Sequence, residues 1–68
     1  MNQENFNMSL RKFLKTVGVR SQTETERAVV KAIADGKFQG NETFAVRMSL
    51  TIDSIGLAVT LDGEIKLE

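Results

Sequence analysis

The 68-residue chain has no His, no Cys, no Trp, no Tyr and no Pro. Without His it has no side chain whose unperturbed pKa lies near neutrality. Without Cys it has neither a thiolate nucleophile nor a disulfide. Zinc and copper lose their usual ligands with those two residues, which leaves carboxylates and hard cations. No apolar run exceeds three residues, so no membrane helix fits. The opening Met1-Asn2-Gln3-Glu4-Asn5 has neither the basic start nor the apolar stretch of a secretory signal. The expectation is therefore a cytoplasmic chain with no membrane contact, no cofactor and no metal.

What is present is ordinary globular material: 41% hydrophobic and 26% charged residues, which argues against disorder. Nine basic residues balance nine acidic ones, but unevenly along the chain. Residues 1–20 carry a local +3, residues 21–42 carry −1 and residues 43–68 carry −2. The poles are too mild for general phosphate binding and favour head-to-tail self-association.

Phe6, Leu10, Phe13, Leu14 and Val17 fall within about 100° of one another at the helical period. Arg11, Lys12 and Lys15 take the opposite arc. This predicts a helix over 3–17, stopped by Gly18 in a Schellman-type closure with Val19 on Leu14. Ser21-Gln22-Thr23-Glu24 matches a capping box and predicts a second helix over 22–35, ended by Gly36. Its buried face is Val29, Val30 and Ile33, with Glu24, Arg27, Lys31 and Asp35 outside.

The last third changes period. Phe44 to Ile52 and Leu57 to Leu67 alternate apolar with polar or small residues, so strands are expected over 43–53 and 57–67. Asp53-Ser54-Ile55-Gly56 fits a four-residue hairpin loop. A three-stranded meander turning at Asp62-Gly63 would set Thr60 opposite Ile65 and mix core with solvent faces. Pairing Ile52 with Leu57 avoids this, sets Arg47 across from Asp62 and Phe44 across from Ile65, and leaves Gly63 as a bulge or a point of close approach. The expected fold is one α+β domain over residues 1–68, in the order helix, helix, hairpin, with the helices on one sheet face.

A two-stranded ribbon leaves both edges unpaired, and no strand here has Pro to blunt them. Edge-to-edge pairing of two ribbons predicts a symmetric homodimer. Three site readings follow. Asp53, Asp62, Glu64 and Glu26 are the carboxylates available for acid catalysis, but a solvated strand face offers no pocket to raise a pKa, so no catalytic residue is assigned. Two helices, a short turn and a hairpin also fit a helix-turn-helix with a wing, with Arg11, Lys12, Lys15 and Arg20 as phosphate contacts. Zero net charge makes nucleic acid the disfavoured partner. The third reading is a protein-interaction surface: Ala45, Ser49, Thr51, Ala58 and Thr60 keep the outer sheet face small, and Ile55 sits at the loop tip.

The stretch from Asn5-Phe6-Asn7-Met8-Ser9-Leu10-Arg11-Lys12-Phe13-Leu14-Lys15 through Val17-Gly18-Val19 to Ser21-Gln22 resembles the opening of a family of short bacterial proteins of unknown function. Gly40-Asn41-Glu42-Thr43 and Asp62-Gly63-Glu64-Ile65 are similar to that family as well. The resemblance implies a small stand-alone bacterial protein and carries over no site residue. The leading expectation is a non-enzymatic interaction module acting as a homodimer; the alternative is a small nucleic-acid-binding regulator.

Overall fold

The computed structural model describes residues 1–68 in two compact units, Met1–Lys37 and Phe38–Glu68. The first is a single helix, α1, spanning Gln3–Ala34. Asn2 caps its start: the side-chain oxygen accepts the backbone N–H of Asn5 at 3.1 Å, satisfying one of the donors a helix start leaves free.

α1 corrects the expectation of two helices. It runs unbroken through Gly18, and the fold is helix then hairpin, still α+β. Gly18 keeps helical backbone, since only Gly36, Gly40 and Gly56 have positive φ. A glycine permits a left-handed stop but does not impose one, and inside a helix it costs only about 0.5–1 kcal/mol relative to Ala.

The surrounding residues favour continuation. Arg20 Nε lies 3.4 Å from Glu24 Oε1, Arg27 lies 3.8 Å from the same oxygen, and Gln22 donates to Glu26 at 3.0 Å. These pairs at spacings of three and four exist only in continuous helix. Nor does the expected capping box form. Thr23 donates its hydroxyl back to the Val19 carbonyl at 3.1 Å, and Thr25 donates to the Ser21 carbonyl at 2.7 Å, the bonding of hydroxyls within a helix. The Schellman closure occurs instead at Gly36 (φ 77°): Lys37 N–H bonds to Ala32 C=O and Gly36 N–H to Ile33 C=O, both at 3.0 Å.

The second unit is an antiparallel hairpin of β1, Thr43–Ile52, and β2, Leu57–Lys66. Between them Asp53–Ile55 form one 3-10 turn, closed by Gly56 in the left-handed region at φ 67°. Asp53 therefore belongs to the turn rather than to the strand. The register pairs Ile52 with Leu57, Arg47 with Asp62 and Phe44 with Ile65, as the separation of apolar and polar faces requires. Pairing continues one step further, where Leu67 N–H donates to Glu42 C=O at 3.0 Å. Gly63 sits directly opposite Val46 in an unbroken ladder, so it is no bulge. At the open end the Phe38 ring meets Phe44 edge to face, with centroids 4.9 Å apart, a favoured aromatic geometry.

Neither unit encloses a core. No residue of the chain is buried, whether apolar or polar. One helix has no second layer of its own, and one two-stranded ribbon cannot cover its own apolar face.

Candidate interaction surfaces

Strand alternation sorts the hairpin into two faces. The outer face brings together the five residues expected there, Ala45, Ser49, Thr51, Ala58 and Thr60. Ser49 lies opposite Thr60, Thr51 opposite Ala58, and Ala45 opposite Glu64. Across its middle Arg47 Nε reaches Asp62 Oδ1 at 3.0 Å. Ile55 is carried on the turn, at the loop tip where it was expected, and is 71% exposed.

The opposite face is apolar and, although expected to be core, is largely open. Met48 pairs with Leu61, Leu50 with Val59 and Ile52 with Leu57, and Leu61 is 62% exposed. α1 shows the same condition. Phe6, Leu10, Phe13 and Leu14 share a stripe yet are each 44–56% exposed. The sequence reading assigned these residues to an interior, so as a surface they were missed. The signal was there in the arithmetic of one helix and two strands.

The four basic residues do not form one phosphate-binding row. Arg11, Lys15 and Lys12 share an arc of about 100° at the helical period, but Arg20 lies beyond it and is engaged by Glu24. With a single helix there is no helix-turn-helix for them to serve. The groove lined by Lys15, Val19, Thr23 and Arg27 belongs to one side of α1 alone.

The carboxylates considered for catalysis are dispersed. Asp62 is paired with Arg47, and Glu26 accepts from Gln22. No three Asp or Glu side chains come together in a cluster fit to hold a metal.

One carboxylate has an unforeseen role. Glu42 folds back on the loop before β1 and accepts three backbone N–H groups: Gln39 at 2.9 Å, Gly40 at 2.9 Å and Asn41 at 3.1 Å. Gly40, at φ 109°, supplies the backbone bend that aims these donors inward. The Gln39 N–H, then that of Gly40, hold the Glu42 carboxyl below its ordinary 4.5, because hydrogen bonds to the charged form favour it. The nest is filled by the chain's own carboxylate, which fixes the entry to β1.

No helix is long and apolar enough to cross a membrane. No curated protein and no solved structure matches the chain. The model of a family of unknown function, DUF6494, matches residues 1–68, and the chain belongs to that family.

Proposed function

We propose that this chain is a non-enzymatic interaction module of the cytoplasm that acts as a homodimer. The observation that carries the reading is that neither unit covers its own apolar side chains: Phe6, Leu10, Phe13 and Leu14 of α1 are each about half exposed, and Met48, Ile52, Val59 and Leu61 lie open on one hairpin face. Surface of that kind on a soluble chain calls for a partner.

The hairpin adds a second mode. Both β1 and β2 are edge strands, so each offers an unpaired row of backbone groups to another strand. The small outer face around Ser49, Thr51, Ala58 and Thr60, with Ile55 beyond it, remains free for a different protein after two copies have joined. Nucleic acid is a poorer partner, because the formal net charge is zero and phosphate affinity scales with the cations that replace counterions.

Sedimentation equilibrium at micromolar concentration tests the reading. The expected species has about twice the 7.5 kDa chain mass; a single species at 7.5 kDa overturns it.

A further inference from the structure

We infer that two copies join through the free edge of β1, antiparallel, about a two-fold axis at Met48. The joined sheet runs β2-β1-β1-β2, the last two strands from the second copy; this rests on the homodimer reading above. The hairpin has two free edges, and hydrogen bonding shows which residues face them. In an antiparallel pair, residues alternate between bonding across the pair and turning their N–H and C=O groups outward. Leu67 N–H donates to Glu42 C=O at 3.0 Å. In the same register Phe44, Val46, Met48, Leu50 and Ile52 therefore bond inward to β2. Thr43, Ala45, Arg47, Ser49 and Thr51 offer their backbone groups at the β1 edge. At the β2 edge the corresponding residues are Ala58, Thr60, Asp62, Glu64 and Lys66.

The two edges differ in their guards. Natural edge strands are kept from pairing by charged side chains, by Pro or by a bulge. Asp62, Glu64 and Lys66 guard β2. β1 has no such guard: the chain has no Pro, and the ladder is unbroken. Four of the five outward-bonding residues of β1 are Thr, Ala or Ser. The fifth, Arg47, is drawn away from the edge onto Asp62 at 3.0 Å.

One register satisfies both faces. Outward-bonding residues pair only with outward-bonding residues, which keeps the two apolar faces on one side and spaces the possible registers two residues apart. With the axis at Met48, Phe44 lies opposite Ile52, Val46 opposite Leu50 and Met48 opposite itself. The apolar residues of β1 then meet only one another, and Arg47 lies opposite the small, neutral Ser49. An axis at Arg47 sets two like charges directly opposite, which is unfavourable, and puts Ile52 against Glu42, whose carboxylate the preceding loop holds. An axis at Ser49 puts Phe44 against Ser54 of the turn. β1 thus supplies its own complement, as a two-fold contact requires. Pairing also turns a lone hairpin, marginal by itself, into a four-stranded sheet with one apolar face.

Amide hydrogen exchange of the parent chain reads the edge. Pairing through β1 should slow the amides of Ala45, Arg47, Ser49 and Thr51 about tenfold or more relative to those of Ala58, Thr60, Asp62 and Glu64. The reverse pattern, or no difference between the two sets, overturns the inference. The chain has no Cys, so single cysteines read the register. Met48→Cys places two thiols on the axis with Cα atoms about 4.5 Å apart, within reach of a disulfide, and mild oxidation should link the chains. Leu50→Cys and Leu61→Cys hold their thiols about 14 Å apart along or across the sheet and should stay unlinked. Linkage at either of these two ahead of Met48→Cys overturns the inference. Linkage at none of the three, with a parent of twice the 7.5 kDa mass, overturns it and leaves the homodimer standing. A parent mass of 7.5 kDa removes both.

Discussion

Lys37 donates its backbone N–H to the carbonyl of Ala32 across 3.0 Å, closing α1 at Gly36 and not at Gly18. The two glycines should therefore respond in opposite ways to the same change. A Cβ at Gly18 meets no atom within 4 Å on a helical backbone, so Gly18→Ala should stabilise by about 1 kcal/mol. Gly36 has φ 77°, so Gly36→Ala should destabilise by about 1–2 kcal/mol. Urea unfolding at one fixed protein concentration measures both. Loss of stability in both variants would mean that Gly18 also ends a helix.

Arg47 and Asp62 join the strands at 3.0 Å while both remain well exposed. Exposed pairs of this kind are worth about 0.2–1 kcal/mol and are weakened by salt. A double-mutant cycle with Arg47→Ala and Asp62→Ala should return a coupling below about 1 kcal/mol that shrinks in high salt. A coupling well above that, insensitive to salt, would mean the pair is covered in the working assembly.

Glu42 gives a pH dependence of known sign. Its folded pKa lies below the ordinary 4.5 because Gln39, Gly40 and Asn41 donate to the ionised carboxylate. A lowered folded value means stabilisation that is complete above the unfolded pKa and is lost as pH falls through the folded one. Thermal melts of the parent chain and Glu42→Gln should differ at pH 7 and converge as pH falls below 4. A gap that persists unchanged in acid would show that the loop does not depend on the charge.

The hairpin was legible because one-residue alternation admits a single register once a face is apolar. Phe44, Val46 and Met48 could not slip against Ile65, Gly63 and Leu61 without turning inside out. Gly56 marked the turn for a like reason, since the turn needs its left-handed backbone. The middle of α1 misled because Gly18 and Ser21 carry helix-stop and helix-start chemistry that is permissive. The pairs from Arg20 to Glu24 and from Gln22 to Glu26, and the phase shared by Leu10 and Ala28, outweigh it.

Of the candidate site, alternation alone placed Ser49, Thr51, Ala58 and Thr60 on one face. The Glu42 clasp left no pattern to read, because it depends on the bend at Gly40. The openness of Phe13 and Leu61 was hidden as well. Periodicity identifies which side chains belong together, but not which chain covers them.

The central claim is that one copy has no core and completes its fold with a second. Its most direct test is urea unfolding of the parent chain at 1 μM and at 100 μM. An obligate dimer gains about 2.7 kcal/mol from a hundredfold rise in concentration, which should move the midpoint up by about 1 M urea. A midpoint that does not change between the two concentrations would contradict the account.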